Sequence, residues 1–180
     1  IHRKLPIIQQ SEVAECGLAC IAMISSYYGN LIDLAYLRSH YATKFNGMNV
    51  QQVLDITEKL GFSSRAIRCE LEQIDAIDLP CIAHWNMNHF VVIKKIGVNN
   101  VKIHDPALGI KTISRDEFSR CFTGIVVELT PTTYFKKHDN REKIKLSQLW
   151  SNIKGAKTNL FYLISLSFII QICILSFPYY

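Results

Sequence analysis

Several things are missing from these 180 residues, and each absence closes off a class of function. No CxxC pair occurs, which argues against a zinc ribbon or a thioredoxin-type redox site. No GxxxxGK[ST] occurs, so an ATPase of the P-loop kind, with its ATP and Mg, would have to lie outside this chain. The first fifteen residues hold no apolar core of signal-peptide length, so nothing suggests secretion by that route. There is no internal repeat and no low-complexity segment. A charge imbalance is also missing from most of the chain. Residues 1–135 carry 13 Lys/Arg and 13 Asp/Glu. The net +5 arises in residues 136–158, with seven basic and two acidic side chains, and residues 159–180 carry no charge. A nucleic-acid-binding protein usually has its basic patch within the folded domain, so no nucleic-acid partner is expected. A basic stretch directly before an apolar one reads as a membrane approach from the cytoplasmic side. No Met begins the chain, and "FPYY" ends it just after the apolar run; a fragment of a longer protein is expected.

What is present begins with six cysteines, at 16, 20, 69, 81, 121 and 173. Their irregular spacing in a chain of this length is not that of a small disulfide framework, and most read as small core residues in a reducing compartment. Helical signals come first. One helix is expected from near Cys16 to Tyr28, amphipathic through Leu18, Ile21, Ala22 and Ile24 and closed by Gly29. "DLAYLRSHY" is a short second helix. In "NVQQVLDITEKLGF", Asn49 can cap a third, with Val50, Val53, Leu54, Thr57 and Leu60 on one face. The pattern then becomes β-branched. "SRAIRCE", "LPCIAHW", "HFVVIKKIG", "VKIHD", "IKTI" and "GIVVELT" are strand candidates, with "VNN" a hairpin turn, "DPALG" another turn, and a brief helix "RDEFSRCF" capped by Ser114. Helices followed by an antiparallel sheet make an α+β fold. Leu160–Phe177 is eighteen uncharged residues, about the minimum for a membrane span.

Cys16 stands where the first helix begins, with Gln10 six residues before it. A thiol attacks a carbonyl as the thiolate, which a helix N-terminus and a neighbouring imidazolium both favour. That imidazolium must come from a His remote in sequence. His84 and His89 both lie in "AHWNMNHFVV" and are on residue type alone about equally suited. A hairpin through "VNN" would set the end of "VKIHD" beside the start of "HFVVI", pairing Asp105 with His89, and so favours His89 over His84. A general-base His needs its other ring nitrogen held by such an acceptor. The oxyanion of a tetrahedral intermediate needs donors already in place; the Gln10 amide and the Cys16 N–H could supply them, with Gln9 the competitor. Taken singly, each residue has a plainer explanation: a packed thiol, a structural His–Asp pair, a solvated Gln. Together, in the order Gln, Cys, His, Asp, they match the papain-like arrangement. Cys20, one turn beyond Cys16, reads as core. A zinc site from Cys16, Cys20, His84 and His89 can be drawn but fits known ligand spacings poorly.

"QSEVAECGLACIAMISSYYG", "HFVVI" and "IHDPALG" resemble the bacteriocin-processing cysteine peptidase domain found at the N-terminus of ABC transporters that export colicin V-like microcins and other double-glycine-leader peptides. The resemblance spans roughly residues 5–135, and "EC" stands where that family commonly has "DC". It implies a papain-like fold over 1–135, a basic linker over 136–158 and the start of a first transmembrane helix over 159–180. It implies Cys16, His89, Asp105 and Gln10 as the catalytic set, with no metal or other cofactor in this chain and ATP with Mg confined to a downstream ATPase. It implies cutting after Gly-Gly in a precursor peptide, at the cytoplasmic face of a bacterial inner membrane. The full-length transporter would be a homodimer, with a periplasmic adaptor and an outer-membrane channel as further partners. Trp85 and nearby strand residues would wall a narrow slot for the two glycines. A docking domain without catalysis, and a papain-like acyl transferase or deamidase, are the competing readings.

Overall fold

The computed structural model describes residues 4–41, 47–137, 139 and 156–176. The chain divides into two compact units, residues 1–142 and 143–180. Most of the expected linker, and residues 177–180, lie outside the described residues.

In the first unit, α1 (Cys16–Tyr28), α2 (Leu34–His40) and α3 (Val50–Lys59) precede a six-stranded antiparallel sheet. The strands are β1 (Phe62–Arg68), β2 (Cys81–Trp85), β3 (His89–Ile96), β4 (Asn100–Asp105), β5 (Gly109–Ser114) and β6 (Phe122–Pro131), with α4 (Arg115–Cys121) between the last two. Their spatial order is β1-β6-β2-β3-β4-β5. β2 to β5 form a meander, and the final strand returns to insert between β1 and β2. The helix ends follow local chemistry. Asp33 caps α2 by accepting from the Tyr36 N–H, and Asn49 and Gln52 form a reciprocal capping box on α3. Ser114 Oγ accepts from the Glu117 N–H to start α4, and Gly29 closes α1 with a φ of 103°.

Both faces of the sheet are covered. Phe62, Ile82, Phe90, Val92, Val127 and Leu129 pack under α1–α3. On the other face Ala83, Trp85, Val91, Ile93, Ile103 and Val126 pack with Phe118 of α4 and Ile74 of a short 3-10 turn. The neighbours Phe90, Val91, Val92 and Ile93 thus alternate between two cores, and the run reads as continuously apolar.

One expectation needs correction. α1 is not amphipathic: all ten residues from Cys16 to Ser25 are buried, because the helix lies between β3 and the other two helices. On α3 the expected face is the one that packs: Val53 and Thr57 are buried, Val50, Leu54 and Leu60 lie half-buried against the same core, and Ile56 is buried beside them. The first unit also continues past the strands. The Phe135 ring packs on Phe62 at 4.6 Å, and Leu31 and Asp139 form a bridge.

In the second unit, α5 spans Ala156–Ser176, and its segment Thr158–Ser176 has a mean hydropathy of 2.0 and is long and apolar enough to cross a membrane. Ser165 and Ser176 return their hydroxyls to carbonyls one turn back.

Candidate active site

The site is built where the first residue of α1 meets one end of the β2–β3–β4 meander. A 3-10 turn, Val13–Glu15, leads into α1, and Cys16 is the first helical residue. Its side chain is buried. The chain reverses from β2 to β3 through Asn86 and Met87, both with positive φ. That turn pairs Trp85 with His89 and puts His89 at the start of β3. The β3–β4 hairpin then returns Asp105 to the same end. His89 Nε2 lies 2.9 Å from Asp105 Oδ1.

That same oxygen accepts the N–H groups of Ala107 at 2.8 Å and Leu108 at 3.4 Å. An oxygen receiving two fixed backbone donors is held as an ionised acceptor, so the proton in the His89 contact sits on Nε2. The second ring nitrogen, Nδ1, is left for the hydrogen bond that His89 makes with Cys16. Burial works against charge on both partners and is outweighed on both. Hydrogen bonds to Asp105 and Cys16, and their charges, push the His89 pKa up to about 9. The His89 contact, with the Ala107 and Leu108 N–H groups, holds Asp105 below the usual carboxylate range.

Gln10 reaches the same corner from the other side. Its N–H donates to the Pro106 carbonyl at 3.0 Å, one residue beyond Asp105. Its side-chain Oε1 is buried without a protein partner, whereas Gln9 is exposed. The remaining candidates are engaged elsewhere. His84 Nδ1 bonds Thr123 Oγ1 at 2.8 Å, tying it to β6, and burial lowers its pKa. His104 Nδ1–H donates to the Pro6 carbonyl at 3.0 Å, and burial lowers its pKa too. Cys20 is fully buried; burial first, then the nearby Cys16 and Asp105 charges, push its thiol well up. Among the described residues no three His, Cys, Asp or Glu side chains gather as a metal site would need. Trp85 is misplaced as a slot wall. It is 6% exposed, packs on Phe118 at 5.4 Å, and belongs to the core on the far side of the sheet from the one holding Cys16.

Sequence reasoning missed one pair. The Glu15 carboxylate is buried beside Cys16 and meets Arg38 Nε of α2 at 2.6 Å. The acidic residue was visible in "EC", but its cation, 23 positions on, carries no signal of its own.

Three helices over one face of an antiparallel sheet, with a cysteine on the first turn of the central helix bonded to a His–Asp pair on the strands, is the plan of a papain-like cysteine peptidase. The comparisons agree and are narrower. Residues 4–134 match the Peptidase C39 family, and the chain belongs to that family. It is 40% identical over 177 residues to the colicin V secretion/processing ATP-binding protein CvaB of Escherichia coli, covering 98% of this chain and 25% of that one. The probable microcin-H47 secretion/processing ATP-binding protein MchF of Escherichia coli gives the same identity and coverage. The chain thus spans about a quarter of the length of these relatives. Among solved structures, a double glycine motif protease from an AMS/PCAT transporter, in complex with its leader peptide, superposes with a TM-score of 0.69 at 38% identity, covering 73% of this chain and 94% of that one. The peptidase domain of Streptococcus ComA, a bi-functional ABC transporter, does so with 0.66 at 26% identity, covering 72% and 100%.

Proposed function

We propose that this chain is the leader-peptidase end of a peptide exporter, cutting a precursor just after a Gly-Gly pair. The observation that carries the reading is the single His89 ring joined to Asp105 on one side and Cys16 on the other. Cys16 Sγ, as the thiolate, attacks the carbonyl carbon of the second glycine. The carbonyl electrons move to oxygen, and the Gln10 side-chain amide and the Cys16 N–H receive that oxyanion. As it collapses, the C–N bond breaks and His89 Nδ1–H protonates the departing amine. Water, deprotonated by the now neutral His89, then attacks the thioester, releasing the leader carboxylate and restoring the thiolate–imidazolium pair. Asp105 keeps the ring oriented and stabilises its charge throughout. Two glycines before the cut present no side chains and reach backbone angles closed to other residues, which suits an approach to a thiol buried as deeply as Cys16.

In the same reading, residues 1–135 are the peptidase, 136–158 a cytoplasmic linker and 159–180 the start of the first membrane helix. Lys154 and Lys157 stay on the cytoplasmic side, where the anionic leaflet attracts each by about 1 kcal/mol. The names of the relatives support export as the setting, with a homodimeric transporter, a periplasmic adaptor and an outer-membrane channel as its expected partners. The test is to incubate the chain with double-glycine precursors and map the cut by mass spectrometry. Cleavage between the second glycine and the next residue, lost in Cys16→Ala, is the expected result. Cleavage elsewhere, or cleavage that persists in Cys16→Ala, would overturn the assignment.

A further inference from the structure

The two proposed oxyanion donors, the Gln10 amide and the Cys16 N–H, stand at opposite ends of one short loop. The loop is fastened at its first end by the Gln10 N–H to Pro106 carbonyl bond, and at its last end it becomes α1. Between them Glu15 folds backward. Its Oε2 accepts the Ser11 N–H at 3.0 Å and the Glu12 N–H at 3.1 Å, while Oε1 takes Arg38 Nε at 2.6 Å. Glu15 is the N3 residue of a capping box on the Val13–Glu15 turn, so its bond to the Glu12 N–H is ordinary capping. The same oxygen reaches one residue further back, to the N–H of Ser11, the immediate neighbour of Gln10. The Glu15 side chain is 3% exposed, a position in which an ion needs a partner. Arg38, on the last turn of α2, supplies it from a half-exposed position. The Arg38 contact, against burial and helped by the two N–H groups, holds the Glu15 carboxyl below its usual range, so the anchor stays ionised at neutral pH.

We propose that Glu15 and Arg38 are a positioning pair that sets the spacing between the two oxyanion donors, making α2 part of the catalytic apparatus without touching substrate. The inference rests on the reading of Cys16 and Gln10 given above. Misplacing a reacting group by about 1 Å can lower a rate by roughly 10²-fold, so loss of the pair should lower turnover by about 10-fold to 10²-fold and leave KM nearly unchanged.

The test uses two reagents on Cys16 of the full chain in detergent, followed by peptide mapping. Acylation by a nitrophenyl acetate ester passes through an oxyanion; alkylation by iodoacetamide displaces iodide at carbon and does not. In Arg38→Met the ratio of acylation to alkylation should fall about 10-fold, with alkylation itself unchanged. Arg38→Lys should recover part of it, and Glu15→Gln should behave like Arg38→Met. In a Gln10→Ala background, Arg38→Met should lower the ratio little further, because the donor it positions is already gone. An unchanged ratio in Arg38→Met, or full additivity with Gln10→Ala, would overturn the pairing. Arg38 is solvated enough that its loss should not unfold the unit, and a melting curve checks this. Precursor cleavage by the wild-type chain is scored separately. Its absence would remove the leader-peptidase reading while the reagent ratio still reports on Glu15 and Arg38.

Discussion

Titrating His89 should loosen the fold, and the size of the effect follows from its surroundings. Its pKa goes from an ordinary 6.5 to about 9 in the folded chain. At 1.36 kcal/mol for each pH unit, that difference corresponds to roughly 3 kcal/mol of stability. The folded state binds this proton more tightly than the unfolded one. The contribution is therefore complete below pH 6.5 and disappears as pH rises through about 9. Asp105 titrates the other way. Its folded carboxyl lies below the ordinary 3.8, so its share is present above that value and lost as pH falls through the folded one. The two shifts describe one linked set of contacts, Cys16 included, and are not to be added. For a compact unit of 142 residues, a loss of this size lowers Tm by about 10 °C. The assay is a series of melts of the full chain in detergent from about pH 6 to about pH 10, for the wild type and His89→Asn. Other thiols, tyrosines and lysines titrate in that range, so the difference between the two curves is the measurement. The wild type should lose roughly 10 °C more than the variant across the window. Equal losses would mean that the His89–Asp105–Cys16 contacts do not favour the protonated ring, and the charge assignment at the site would fall with them.

Three further outcomes are expected. Gln10→Ala should reduce kcat on a double-glycine precursor by roughly 10²–10³ with little change in KM, while Gln9→Ala is nearly silent; steady-state kinetics decide, and exchanged effects would shift the oxyanion donor by one residue. Cys16→Ala should abolish cleavage in a folded chain, whereas Cys20→Ala keeps most activity, because burial keeps the Cys20 thiol protonated; a dead but folded Cys20→Ala would contradict this. Gly61→Ala should cost about 2 kcal/mol or more by urea titration. Gly61 has a φ of 88°, and a Cβ there would come within 2.8 Å of the Phe135 Cα. Gly109→Ala has the same φ but open space around it, so it should cost only about 1 kcal/mol; equal costs would refute the steric part of that reasoning.

Much of this protein is written locally. Helix starts follow from a side chain three residues ahead of the N–H it caps, and Asn49 and Ser114 could be read for that reason. The β3–β4 hairpin follows from two apolar runs and a short polar turn, and hairpin geometry alone brings the end of one strand beside the start of the other, so the His89–Asp105 pair is legible in the sequence. The charge-free run at the C-terminal end is a matter of composition and is equally plain. Other features depend on what packs against what. A helix buried on all sides and a strand buried on both faces carry the same apolar pattern as half-buried ones would if their polar sides were simply short; only the sheet with covers on both faces decides that α1 is central and that Trp85 is core. The α3 face was legible as a helical stripe, and only Ile56, buried beside it, needed the packing partners to be known. Arg38 is one of thirteen basic residues in the first 135, and nothing near it in sequence marks it. It matters because α2 folds back over the turn that precedes Cys16, where a buried carboxylate needs a cation, and a requirement set by burial can be met from any point of the chain that the fold brings near.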